Sequence, residues 1–490
     1  MSAVLINLLY VAAGTFAGIY VGAIPGLSVT MAASLLISMT YSWQVDNALA
    51  LMMGVWVGGV YGGSRAAILL NIPGAPAAVA TTFDGYPLAQ RGEAGKAIAV
   101  STIMSVFGGM LGLVVMLVAA PSIASVAVKF SPKDYLLLLL MGLMLVGSLG
   151  GKSVMKGILA ALFGLMLGVI GTDGITGLGR FTFGISDMRT GLSYVSVMIG
   201  VFGIGEALFQ LLHKDKPVVK QDVSSIRPPG SILLRMLPLS IRSSLVGVIV
   251  GALPGAGGDL AALMSYDFAK RTVRKPMRKF GTGTYEGIVA PESANNAAVG
   301  GALIPMLTLG IPGDSVTAIM IGALSIHNIK AGPTLMDTQP EIFTNLAWLL
   351  LAANIFLLIF GLTGIKIFTK LVELPREILM PLIMVISVIG SYSIGGNVID
   401  IMWTIIFGII GYFMKCYDYP VGPLVLGLIL GPNLELYFRR AIMSAGSVGG
   451  MFVDIFTSPF SLVLLALLVA LVISQVMMNK DKGEEADEQE

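Results

Sequence analysis

An apolar run that begins near Ala48 and reaches Leu70 stops at Asn71-Ile-Pro73-Gly74-Ala-Pro76, and a second apolar run follows. Pro73 and Pro76 have no N–H to give and Gly74 tolerates any turn, so a continuous helix is not expected here. Gly310-Ile-Pro312-Gly313-Asp-Ser315 repeats the device. Only 12% of the 490 residues are charged and 56% are hydrophobic, with mean hydropathy +0.87. A soluble domain carries about 25% charged residues, so these runs read as membrane segments. Within a bilayer, irregular backbone survives only where it is buried in protein or lines a wet cavity. The N–H groups that open the next half-helix are a natural seat for an anion.

The same composition removes other classes. The first charged residue is Asp46, so no secretory signal with a positive leading region is expected. Cys416 is the single cysteine, and His213 and His327 are the two histidines, which excludes an intrachain disulfide and histidine- or cysteine-rich metal chemistry. The complete phosphate-loop pattern, Gly-x-x-x-x-Gly-Lys-Ser/Thr after a strand, is missing, and so is Gly-x-Ser-x-Gly, so neither ATP hydrolysis nor a hydrolytic triad is expected. Enzymatic activity, a cofactor and a nucleic-acid partner are not expected. The 61 glycines suit closely packed membrane helices.

Three blocks recur in order. Gly22-Ala-Ile-Pro25-Gly26 returns as Gly251-Ala-Leu-Pro254-Gly255, Ile72-Pro73-Gly74 as Ile311-Pro312-Gly313, and Pro132-Lys133-Asp134 as Pro375-Arg376-Glu377, at offsets of 229, 239 and 243 residues. Slowly growing offsets are what a duplication with small insertions leaves. Paired interrupted segments in two halves point to a transporter's binding site.

Charge sets the topology. His213–Arg242 and Lys270–Lys279 each hold six Lys or Arg, and the positive-inside rule places both in the cytoplasm. The segment between them must enter and leave on one side. Its two arms meet at Pro254-Gly-Ala-Gly-Gly258, and each is expected to be too short to span alone, since a crossing takes about 20 residues. A re-entrant hairpin results. Val4–Tyr41, broken at Pro25-Gly26, has no Lys or Arg at either end and is placed on the opposite face, so the repeats are inverted. The first repeat covers 1–212, with hairpin 4–41 and interrupted helix 48–85. A cytoplasmic connector covers 213–242. The second repeat covers 243–478, with hairpin 243–268 and interrupted helix 284–327, and 479–490 is an acidic tail. Pro420–Phe438 reads as either a short crossing or a re-entrant piece.

Several polar residues sit beside these breaks. Arg65 lies inside the first interrupted helix, where a charge is costly and marks a functional candidate. Its planar fork matches a carboxylate, and an internal ion pair is the structural alternative. Ser28, Ser64 and Asn71 are placed to bond substrate or to bridge helices. Asn295 and Asn296 would hold a carboxylate or Na⁺, or bond a neighbouring helix. Asp259, Glu292 and Asp314 are candidates for a coupling-ion site, where a desolvated carboxylate takes up a cation; Asp314 equally suits a helix cap. Glu286 is placed at the interface by the basic loop, and Asp84-Gly-Tyr-Pro87 reads as a structural turn.

Tyr61-Gly-Gly-Ser-x-x-x-Ile-Leu-Leu-Asn-Ile-Pro-Gly74, Asp84-Gly-Tyr-Pro87, Gly251-x-x-Pro-Gly255, Ala290-Pro-Glu-x-Ala-Asn-Asn296 and Gly310-Ile-Pro-Gly313 resemble the large membrane subunit of the tripartite tricarboxylate transporters, the TctA family. Lys156-Gly-Ile-Leu-Ala-Ala161, Arg180-Phe-Thr-Phe-Gly184 and Gly422-Pro-Leu-Val-Leu-Gly427 extend the resemblance over nearly the whole chain. Arg65 departs from it, since a small or polar residue is expected there. The resemblance implies a small membrane subunit and a periplasmic solute-binding protein as partners, import of carboxylates on an ion gradient, and an elevator-like movement.

The expectation is an all-α polytopic membrane protein of two inverted-topology repeats, with re-entrant hairpins and interrupted transmembrane helices. It would be an elevator-type, secondary-active importer of di- or tricarboxylates in the bacterial inner membrane, driven by H⁺ or Na⁺, in contact with lipid and possible as a homodimer. A channel or a membrane-embedded enzyme is the alternative. Pro25, Gly26, Ser28, Ser64, Arg65, Asn71, Pro73, Gly74, Pro254, Gly255, Asn295, Asn296, Pro312, Gly313 and Ser315 are expected around substrate.

Overall fold

The computed structural model describes residues 3–24, 27–149, 153–173, 175–212, 230–364, 376–470 and 472. The helices in chain order are α1 (Ala3–Ala23), α2 (Val29–Thr40), α3 (Val45–Leu70), α4 (Val79–Leu88), α5 (Ala94–Ala127), α6 (Pro132–Leu149), α7 (Val154–Gly168), α8 (Tyr194–Met198), α9 (Gly205–Leu212), α10 (Gly230–Gly251), α11 (Gly257–Thr272), α12 (Glu286–Leu309), α13 (Ser315–Ile326), α14 (Leu335–Thr338), α15 (Pro340–Thr363), α16 (Arg376–Gly395), α17 (Val398–Cys416), α18 (Val421–Ala445) and α19 (Val448–Thr457). A last helix, α20 (Pro459–Ala470), is bent 92° from α19. Among the described residues, seven stretches are long and apolar enough to cross a membrane. The chain is an all-α, multi-pass membrane protein. It divides into two compact units, one of Met1–Ser122 with Val195–Phe413 and one of Ile123–Tyr194 with Met414–Glu490.

The centre of the first unit is a pair of helices rich in small residues. Every residue of α12 from Glu286 to Thr308 is buried, and so is α3 from Ala48 to Leu69 apart from Leu51 and Val60. Helices apolar on all sides must be enclosed by others. α1 lies against α3 so closely that a Cβ at Gly18 would strike the Val55 carbonyl, one at Gly22 the Gly59 carbonyl, and one at Gly62 the Ile19 carbonyl. α10 meets α12 through Gly247 on Ala294, Gly251 on Ala298 and Gly301 on Val248. These contacts are the first set displaced by 229 residues on one helix and 239 on the other, the two offsets of the sequence motifs.

The breaks follow the same rule. α3 ends on Asn71 at φ 55° and α12 on Gly310 at φ 70°, both left-handed caps that stop a helix. Beyond them, Gly74 packs on Gly22 and Gly63, and Gly313 on Gly251 and Ala302.

Two local expectations differ from the structure, and one that stood between two readings falls on one of them. The first arm of the second hairpin begins at Gly230, not Ser243, and with 22 residues it is long enough to cross. Asp84-Gly-Tyr-Pro87 is not a turn but lies inside α4, which passes through a π-helical stretch, Ala89–Glu93, into α5. Local Gly and Pro signals are overridden there by contacts that Asp84 makes elsewhere in the fold. Of the two readings of Pro420–Phe438, the crossing is the one the structure bears out: Pro420 precedes a single 25-residue helix, α18, long and apolar enough to cross.

In the second unit, α7 packs on α18 with Gly164 against Leu424 and Gly427 against Ala161. A short strand pair, Gly171–Thr172 with Gly179–Arg180, is tied to α18 by Asp173–Arg439 and Arg180–Glu435 ion pairs, each 2.7 Å.

Candidate functional site

In the first unit the two hairpins and the two broken helices converge on one cavity of about 200 Å³. The hairpins contribute Ser28, Val29 and Thr30 on one side and Gly255 to Asp259 on the other. The breaks contribute Ala75, Pro76 and Ala77, and Asp314, Ser315 and Val316; α3 adds Trp56 and Val60, and α12 adds Asn295, Ala298 and Val299. Trp56 with Asn295, Val60 with Val299, and Ala75 with Asp314 are each 239 residues apart.

Helix starts face this space. Ser28 caps α2, its Oγ accepting the Met31 N–H at 3.0 Å. Asp314 caps α13: its Oδ1 accepts the Thr317 N–H at 2.8 Å, and Thr317 Oγ1 accepts the Asp314 N–H at 2.8 Å. This reciprocal pair satisfies donors that a helix start leaves unbonded. Asp259, in the first turn of α11, lines the cavity together with Asp314. Asn295 donates to the Val60 carbonyl at 3.2 Å, and its Oδ1 fills the space a Cβ at Gly258 would need. Among the described residues, no Lys or Arg lines the cavity, whereas Asp259 and Asp314 both do. Among the described residues, no three His, Cys, Asp or Glu side chains gather to hold a metal ion.

The structure therefore brings together Ser28, Gly255, Asp259, Asn295, Asp314 and Ser315. Pro73, Gly74, Pro254, Pro312 and Gly313 shape the breaks and one tip, while Pro25 and Gly26 lie outside the described residues. Arg65 is wholly buried and does not line the cavity. Its Nη2 donates to the carbonyls of Phe360 at 3.0 Å and Gly361 at 2.5 Å, and its Nε to Tyr61 Oη at 3.2 Å. A guanidinium thus neutralises the negative end of α15. Asn71 is exposed at its cap.

Glu292 and Ser64 form a second polar cluster. Glu292 accepts from Thr81 Oγ1 at 2.6 Å and Ser105 Oγ at 3.0 Å, and Ser101 Oγ donates to Ser64 Oγ at 3.1 Å beside it. Asn296 Nδ2 donates to the Glu292 carbonyl at 3.0 Å, and its buried Oδ1 has no partner.

Sequence reasoning missed Trp56, Thr30, Val60 and Val299 in the cavity; for Trp56, subtracting 239 from Asn295 would have found it. It also missed the role of Asp84. Asp84 Oδ1 accepts the N–H groups of Gly281, Gly283 and Thr284, each at 2.9 Å, and its Oδ2 accepts Tyr266 Oη–H at 3.0 Å. Nearby, Glu93 pairs with Arg278 at 2.7 Å and accepts from Tyr285 Oη at 2.7 Å.

An Agrobacterium vitis protein, "Uncharacterized 52.8 kDa protein in TAR-I ttuC' 3'region", is 36% identical over 469 residues, covering 96% of this chain and 93% of the relative. A second, "Uncharacterized protein in TAR-II ttuC' 3'region" from the same organism, is 38% identical over 227 residues, 46% of this chain and 92% of the relative. No solved structure matches. The family model of the tripartite tricarboxylate transporter TctA family matches residues 8–426. By that match and by the length over which the first relative aligns, the chain belongs to the tripartite tricarboxylate transporter TctA family and is the membrane component of such a transporter.

Proposed function

We propose that this chain carries the substrate path of a secondary-active carboxylate importer of the inner membrane, fed by a periplasmic solute-binding protein and joined by a small membrane subunit. The observation that carries the reading is the single cavity onto which both hairpin ends and both Ile-Pro-Gly breaks open. The starts of α2, α11 and α13 supply N–H donors and positive dipole ends suited to carboxylate oxygens. The glycine contacts recurring at offsets of 229 and 239 residues support two related halves. The inverted topology rests on the positive loops, and an elevator-like movement on the family resemblance.

Cation coupling follows from charge. An organic anion entering a space lined by Asp259 and Asp314, with no basic residue lining it, meets like charge in a medium of low polarity. A proton or Na⁺ that enters with it removes the repulsion, so cation and anion bind together or poorly. Asp259 and Asp314 are the first candidates to hold that cation, and Glu292, among hydroxyls, the next.

The test is uptake of radiolabelled di- and tricarboxylates into liposomes holding both membrane subunits, with the binding protein supplied outside. Uptake is expected to saturate, to need the binding protein, and to need an inward H⁺ or Na⁺ gradient. Equal flux without gradient and without binding protein would overturn the reading.

A further inference from the structure

The cytoplasm-assigned end of α10 holds a second cavity, of about 380 Å³, lined by Arg235 and Arg242 of α10, by Val273 and Lys275 after α11, and by Glu286 at the start of α12. Three cations face one carboxylate, and that carboxylate is already engaged. Glu286 Oε1 accepts the Met277 N–H at 2.9 Å, and its Oε2 accepts from Thr284 Oγ1. Arg235 reaches it only at 3.9 Å and spends one nitrogen on the Lys275 carbonyl at 3.0 Å. Arg242 has its guanidinium 4.7 Å from the Phe268 ring centroid, and its Nε is shut off from solvent with no hydrogen-bond acceptor. A shielded guanidinium donor without an acceptor is costly.

The surface beside the cavity has the complementary character. Leu234, Ile241, Leu245 and Ile249 of α10 are all exposed, Leu234 at 75% and Ile249 at 65%. Their spacing of seven, four and four residues puts them on one face of the helix. The stripe passes Arg242, which sits between Ile241 and Leu245, and continues toward the membrane interior. A polar, cationic recess beside an apolar stripe, which runs on past it through Leu245 and Ile249, fits a molecule with an anionic head and hydrocarbon tails.

We propose that this recess binds an anionic phospholipid, its phosphate held by Arg242, Lys275 and Arg235 and its acyl chains laid along the Leu234–Ile249 face of α10. Arginine suits the phosphate through paired, charge-assisted hydrogen bonds, and basic recesses between membrane helices are a recurrent form of lipid headgroup site. The site is separate from the transport cavity and stands whether or not the proposed transport reading does.

The test is native mass spectrometry of the purified full chain in detergent, titrated with phosphatidylglycerol, with phosphatidylcholine and with inorganic phosphate. The wild-type chain is expected to retain one phosphatidylglycerol in preference to phosphatidylcholine, with inorganic phosphate failing to displace it at equal concentration. Arg242→Gln should weaken retention about tenfold, the weight of one charge-assisted hydrogen bond. Lys275→Gln, at an exposed residue where folding is not at stake, should weaken it as well. Lys279→Gln, a basic residue of the same loop outside the recess, should leave it unchanged. Equal retention in the wild-type chain and both recess variants would overturn the proposal, as would full displacement by inorganic phosphate, since then the tails add nothing.

Discussion

Asp314 does two jobs that one substitution can separate. It caps α13 through Thr317, and it lines the cavity proposed for transport together with Asp259. Asparagine caps about as well as aspartate, whereas alanine costs about 0.5–2 kcal/mol. Asp314→Asn should therefore unfold at nearly the wild-type temperature yet lose gradient-dependent uptake, while Asp314→Ala should lose both. Thermal unfolding of the purified protein and liposome uptake read the two effects apart, and full uptake by Asp314→Asn would confine the residue to capping. Arg65 presents the opposite case. A charge within an apolar run marked it in the sequence as a substrate ligand, but its acceptors are carbonyls 295 and 296 residues away, a pairing that no local pattern discloses. Arg65→Ala should cost about 1.5–3 kcal/mol, the range for hydrogen bonds to a charged group, and leave the KM of the remaining uptake unchanged. A raised KM at unaltered stability would return Arg65 to the substrate.

The connections between elements were less legible than the elements. Proline, glycine and apolar runs mark both breaks, where α3 ends at Leu70 and α12 at Leu309. α4 runs through Asp84-Gly-Tyr-Pro87 because Asp84 receives three backbone N–H groups from the 281–284 loop, and a loop some 200 residues distant leaves no trace in the local sequence. The strand pair of the second unit is fixed by a similar long-range device. Arg439, followed by Thr176 and the Ile175 N–H, holds the Asp173 carboxyl well below the usual carboxylate range. A carboxyl that titrates lower in the folded than in the unfolded chain adds stability above its unfolded value of about 3.9, and that stability fades as pH falls through the folded value. Asp173→Asn should therefore unfold below wild type at neutral pH, with the gap beginning to narrow only below about pH 4. Unfolding temperatures of both proteins between neutral and strongly acidic pH check this; a gap independent of pH throughout would remove the charge from the explanation.

At the scale of the molecule, two of the three short motif matches mark a network of contacts, while the third pairs Pro132 with Pro375, which lies outside the described residues. Gly22 against Gly59 and Gly74, and Gly251 against Ala298 and Gly313, place each hairpin end against its own broken helix, and the two sets share one cavity. The motif offset gives the position of Trp56 from that of Asn295 but not its chemistry, since the two matched positions carry unlike side chains. The proposed alternation between membrane faces makes a demand on this shared cavity: Ser28 in one half and Ser315 in the other must become accessible together. Cys416 is exposed and is the one native thiol, so Cys416→Ser gives a silent background in which Ser28→Cys and Ser315→Cys can each be read alone. With a membrane-impermeant maleimide applied from one face, both positions should react in the same conditions, both should be shielded over the same range of carboxylate concentration, and both should lose reactivity together when the gradient is reversed. Protection at one position without the other, or reactivity from fixed opposite faces under every gradient, would mean that the two hairpin ends do not serve one moving site.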